Sequence, residues 1–128
     1  VVNPYQQYQE NQVMTASPER LVLMLYEGAL RFLRLAKKAV EEKNYADANN
    51  YIMRVEDIIM ELNMSLDMNY ELSKNLRSLY NFIYEKLIEA NIKKDLSKLE
   101  EVEGLLEGLK EAWQEAYVEV MKAKRAAL

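Results

Sequence analysis

The sequence predicts an all-α fold: an antiparallel up-down four-helix bundle preceded by a polar leader that can dock as a cap. Three observations carry that reading. Apolar residues recur at three- and four-residue spacing along four separate stretches. Only three glycines and two prolines occur, and both prolines lie within the first 18 positions, so nothing after residue 19 forces a helix to break. Hydrophobic residues make up 50% of the chain and charged residues 30%, a globular balance, and 128 residues suit a single domain.

Residues 1–16 are rich in amides and form the expected leader, with Tyr5 and Tyr8 three apart and Val13 and Met14 near its end. The bundle is expected over 17–125, with helices at about 17–41, 45–66, 70–91 and 96–124. Ser17-Pro18-Glu19 starts the first, since serine caps and proline suits the first helical position. Leu21, Leu25, Phe32, Ala36 and Val40 mark its apolar face, widened by Leu23, Leu30 and Leu33. This is expected to be the most buried helix. Gly28 sits inside it, where close approach by a neighbouring backbone is the usual compensation.

Glu41-Glu42-Lys43-Asn44 breaks the pattern, and Asn44 is placed to cap the second helix. Ala48, Ile52, Val55, Ile59, Leu62 and Leu66 form that helix's stripe. The next junction, around Asp67 and Asn69, has no glycine, so the two helices are either joined tightly or continuous with a bend. Leu72, Leu76, Leu79, Ile83 and Leu87 mark the third helix, and Lys93-Lys94-Asp95 separates it from the fourth. There Leu99, Val102, Leu106, Leu109, Trp113, Ala116 and Val120 alternate steps of three and four, a heptad seam suited to left-handed packing. Long helices with short connections give the up-down order.

The chain has no histidine and no cysteine. That removes the commonest general base, thiolate metal sites and the Glu-x-x-His pairs of di-iron bundles, so no metal or cofactor is expected. No glycine-rich phosphate loop and no Ser-His pair occur. The net charge of -4 argues against nucleic acid, which needs a basic face. Lys122, Lys124 and Arg125 read as complements to a helix dipole. The longest apolar run, Leu21 to Tyr26, is too short to cross a bilayer, and residues 1–12 lack the pattern of a signal peptide. A cytoplasmic location is the expectation. The one enzyme reading is a helical mutase that would hold a dicarboxylate with Arg54 and Arg77, although surface pairing explains both residues.

Seven methionines and nine tyrosines remain to be explained. Met53, Met60, Met64, Tyr51, Tyr80, Tyr84 and Tyr117 lie beside the main stripes. Methionine repacks readily, and tyrosine joins apolar area to a polar tip, so such side chains suit a groove for amphipathic segments. They equally suit the edge of a broad core, and an apolar edge can also be the seam of a homodimer.

Several motifs together resemble one family. They are the leader Asn3-Pro4-Tyr5-Gln6-Gln7-Tyr8, the run Thr15-Ala16-Ser17-Pro18-Glu19 and the stretch Leu25-Tyr26-Glu27-Gly28-Ala29-Leu30. Leu66-Asp67, Asn75-Leu76, Leu79-Tyr80, Ala90-Asn91 and Trp113 follow in the same register. From residue 3 to about 117 the chain resembles the flagellin export chaperones of the FliS family. It departs at Met68-Asn69-Tyr70-Glu71, where relatives often carry a turn with glycine. The resemblance implies a bundle that binds the disordered C-terminal segment of flagellin and blocks premature polymerisation. It also implies contacts with the flagellar export gate and with flagellar regulators, and a leader displaced by flagellin. On this basis Tyr5, Tyr8, Val13, Met14, Met53, Met60, Tyr80 and Tyr84 are the expected flagellin-binding residues.

Overall fold

A computed structural model describes residues 17–127. They form four helices: α1 (Pro18–Glu41), α2 (Tyr45–Met64), α3 (Glu71–Lys93) and α4 (Leu96–Ala126). No strand occurs among the described residues. Successive helices reverse direction and stand in a ring, with α1 and α3 each flanked by α2 and α4. The all-α bundle is therefore the observed architecture.

Local chemistry sets each boundary. Ser17 caps α1 by accepting the Arg20 amide at 3.2 Å. Asn44 caps α2 by accepting the amide of Asp47, and Asp95 caps α4 by accepting those of Ser97 and Lys98. Two junctions turn through left-handed residues, Lys43 (φ 60°) and Lys94 (φ 52°), where glycine is the usual choice. At Lys94 the side chain compensates, since its Nζ donates to the backbone and side-chain oxygens of Asn91. The α2–α3 junction resolves into two separate helices. There Asp67 builds the turn by accepting the Asn69 amide at 3.0 Å, whereas Tyr70 at the start of α3 makes no side-chain cap.

The core draws on all four helices. From α1 come Leu23, Tyr26, Ala29, Leu30, Leu33 and Ala36, and from α2 come Ala48, Ile52, Val55, Ile59 and Leu62. Tyr80, Ile83, Leu87 and Ala90 of α3 and Leu99, Val102 and Leu106 of α4 complete it. Three expectations need correction. Leu72 is exposed, because the stripe of α3 begins a residue later, at the buried Ser73. The seam of α4 loses its neighbours after Trp113, so Ala116 and Val120 are exposed. At 31 residues α4 outruns the others, and the Trp113 indole already donates to the carbonyl of Glu19, in the first turn of α1. Finally, Leu25 and Phe32 lie outside the buried core, packed against it, and Leu21 is only half-buried.

Two diagonal helices meet through one polar contact. The hydroxyls of Tyr26 on α1 and Tyr80 on α3 share a hydrogen bond inside the core. Burial raises the Tyr26 hydroxyl far above its ordinary range and also raises that of Tyr80, so both stay neutral. With folded values above the unfolded ~10, their contribution is complete below about pH 10 and is lost as the pH rises further. Replacing Tyr26 by Phe strands the Tyr80 hydroxyl and should cost about 1–3 kcal/mol in urea unfolding. The double change Tyr26→Phe/Tyr80→Phe should be less harmful than the sum of the two single changes. Simple additivity would show that the hydroxyls act independently.

The α1–α4 edge is held by ions. Glu103 accepts from Lys37 at 2.9 Å and from Arg34 at 3.2 Å, and Arg34 also reaches Glu107 at 3.1 Å. Partial burial pushes the Glu103 carboxyl up, but the Lys37 and Arg34 cations outweigh it and hold the group below its usual range. A depressed carboxylate adds stability above its unfolded pKa and loses it as the pH falls through the folded one. Glu103→Gln should therefore lower the melting temperature at pH 7 and flatten its decline between about pH 5 and 3. An unchanged pH profile would remove Glu103 from the clamp.

Candidate functional site

Leu21-Val22-Leu23-Met24-Leu25-Tyr26 places apolar side chains on every side of the first turns of α1. A helix in a four-helix ring buries only one arc. Leu23 and Tyr26 enter the core, and Leu21, Val22, Met24 and Leu25 are left half-buried beside it. With Gly28, Phe32 and Ile58 of α2 they line a half-open groove of about 860 Å³. Arg20, Arg31, Glu27 and Glu61 supply charged lining residues. The groove is thus mainly apolar with a few ionic groups, the usual make-up of a recognition site.

The seam beneath this groove differs in kind from the other three. Across α1–α4 and α3–α4 run ion pairs, the latter including Lys98–Glu89 at 2.8 Å. Across α2–α3 run amides: Asn63 donates to Asn81 and Asn91 donates to Asn49, both at 2.9 Å, and Arg77 donates to Asn63. Among the described residues, no hydrogen bond or ion pair joins α1 to α2. That seam relies on apolar packing, including Phe32 stacked on Tyr51 with ring centroids 6.4 Å apart. The guanidinium groups of Arg31 and Arg54 lie 5.1 and 5.7 Å from the Phe32 ring centre.

The sequence-predicted residues fall in several places. Met53 and Met60 of α2 are half exposed and lie on its α3 side, the side on which Asn49 and Asn63 reach across. Tyr84 of α3 is half-buried against the core. These three mark a second apolar strip, along the α2–α3 edge. Glu56 stands between the two methionines in sequence, and partial burial followed by the nearby Asp57 charge raises its carboxyl. Tyr80 does not join this strip. It is 2% exposed and bound to Tyr26, because the helical turn that carries it faces the diagonal helix. Tyr5, Tyr8, Val13 and Met14 lie outside the described residues.

Arg54 and Arg77 do not converge. Arg54 is exposed over Phe32 on the α1 side of α2, whereas Arg77 is bonded to the side chain and carbonyl of Asn63 on the α3 side. Among the described residues no enclosed site holds both. Among the described residues no cluster of acidic side chains could hold a metal ion, and no helix is long and apolar enough to cross a membrane.

Sequence reasoning missed Leu21, Leu25, Gly28, Phe32 and Ile58 as site residues. The signal was the width of the apolar arc on α1, which exceeds what one core-facing stripe needs. The expected reason for Gly28 is also corrected. Among the described residues a Cβ there would meet only Ile58 Cδ1, at 3.6 Å, so no backbone of a neighbouring helix requires the glycine. Relative to alanine, an interior glycine costs about 1 kcal/mol of helix stability.

Comparisons with known proteins place this geometry in a family. The family model "Flagellar protein FliS" matches residues 1–120. The flagellar secretion chaperone FliS of Bacillus subtilis (strain 168) is 46% identical over 63 residues, 49% of this chain and 47% of that protein. The flagellar secretion chaperone FliS of Campylobacter jejuni subsp. jejuni serotype O:6 is 38% identical over 58 residues, 45% of each chain. The matched region thus spans about half the length of these curated relatives. A crystal structure of a flagellar chaperone from bacteria superposes with a TM-score of 0.75 at 20% identity, covering 90% of this chain and 95% of that one. That similarity supports the shared bundle fold. With a family model matched from residue 1 to residue 120, the chain belongs to the FliS family of flagellar proteins.

Proposed function

We propose that the protein is a cytoplasmic, non-enzymatic export chaperone that binds the disordered C-terminal segment of flagellin. It prevents premature polymerisation and keeps the subunit competent for flagellar export. The observation that carries this reading is the half-open apolar groove between α1 and α2, built from Leu21, Leu25, Phe32 and Ile58. Family membership and the names of the relatives support the choice of partner. An empty apolar groove is a liability in a monomer and is best explained by an occupant.

Energetics favour such a surface. A disordered segment that folds on binding gives up about 2–5 kcal/mol or more in ordering, so it needs a broad apolar footprint. The groove on one side of α2 and the Met53–Met60–Tyr84 strip on the other provide two adjoining faces that a long segment could span. Residues 1–16 join α1 at Ser17, close to the groove residue Pro18. In this reading the leader docks through Tyr5 and Tyr8, assisted by Val13 and Met14, and flagellin displaces it. That competition lowers the net affinity and eases release at the export gate, with no nucleotide required. Contacts with flagellar regulators use the same assembly.

Sedimentation with and without a flagellin C-terminal peptide tests the proposal. A one-to-one complex, with titration calorimetry showing at least a tenfold loss for Leu25→Ser, is the expected result. A homodimer that ignores the peptide would contradict it and favour a self-associating bundle. Replacing Tyr5 and Tyr8 together by Ala should change the measured affinity. An unaltered affinity would remove the leader from the mechanism.

A further inference from the structure

Among the described residues nothing requires Gly28 to be glycine. It lies in the middle of α1, its φ is not positive, and an added Cβ would make one ordinary contact among the described residues. Helix interiors disfavour glycine, so its presence points to something outside the bundle that comes close. The position faces the groove, with Ile58 of α2 opposite. One turn further along, Arg31 and Arg54 both lie over Phe32. Among the described residues neither guanidinium has a carboxylate within 4.0 Å. Two guanidinium groups over one ring, neither in an ion pair among the described residues, can receive an anion.

We infer that the bound flagellin segment crosses α1 at Gly28 at backbone distance and places an acidic group between Arg31 and Arg54. The inference rests on the groove being the flagellin site and adds a register to it. Because α1 and α2 are antiparallel, Arg54 lies over Phe32 just past that end of the groove lining, and Glu61 and Ser65 stand toward the start of α1. Glu61 repels an acidic group from the opposite end of the groove, so it seats at the Phe32 end. The preferred segment is therefore apolar, carries a small residue where it passes Gly28, and bears a carboxylate about one helical turn away. A bulkier residue at position 28 blocks that approach, and neutral residues at 31 and 54 remove the anion site.

Calorimetric titration of a synthetic flagellin C-terminal peptide into the full chain tests this. Gly28→Ala should leave the melting temperature unchanged or higher, yet weaken the peptide at least tenfold. Gly104→Ala, on α4 with nothing within 4 Å among the described residues, should leave the affinity unchanged. Arg31→Gln/Arg54→Gln should also weaken binding about tenfold and reduce its sensitivity to salt. If the wild type binds and Gly28→Ala binds equally well, the inference fails and the flagellin reading stands. If Arg31→Gln/Arg54→Gln binds with unchanged salt dependence, the anion site fails. No binding by the wild type would overturn both.

Discussion

The architecture turns on a surplus of apolar side chains on α1. Burial of apolar surface is worth about 25 cal/mol per Å², but each helix of a four-membered ring can turn only one arc inward. Residues 21–26 are apolar around the whole helix, so the bundle cannot hide them all. Leu23, Tyr26, Leu30 and Leu33 fill the core, Leu25 and Phe32 remain packed at its margin, and Leu21 stays half-buried. Their stabilising potential is only partly realised until something covers them. The bundle is the scaffold that holds this unfinished surface in place.

The four seams divide the work. Ion pairs fix α4 against α1 and α3, and paired asparagines fix α3 against α2. Exposed ion pairs contribute little individually, so their clearest effect is on register. The Tyr26–Tyr80 bond ties the diagonal and costs nothing in unsatisfied polar groups, since every buried side-chain polar atom among the described residues has a partner. With α3 and α4 placed by these contacts, α1 and α2 can meet through apolar packing alone. Polar cross-links over that seam would have occupied the groove. Their absence leaves a surface that adapts to an apolar segment without competing hydrogen bonds.

Much of the fold could be read from the sequence, because helical periodicity directly reports which residues share a face. The stripe of α2 and the caps at Ser17 and Asn44 follow from that and from capping chemistry. What periodicity lacks is the direction of that face relative to the other three helices. Tyr80 and Tyr84 are one turn apart and look equivalent in sequence, yet one meets the diagonal helix and the other lies at an edge. Leu72 likewise sits just before α3 engages its neighbours. The groove was hidden for the opposite reason: Leu21, Leu25 and Phe32 satisfy the core pattern so well that nothing local marks them as surplus. Only the packing of Leu23 and Tyr26 into the available space shows it.

Amide hydrogen exchange of the full chain, alone and with a flagellin C-terminal peptide, bears most directly on the role of the α1–α2 seam. Bound peptide should slow exchange in residues 21–32 of α1 and 54–62 of α2, while the ion-paired face of α3 and α4 around Glu89 and Lys98 stays unchanged. Protection confined to α3 and α4, with no change across the groove, would contradict the account.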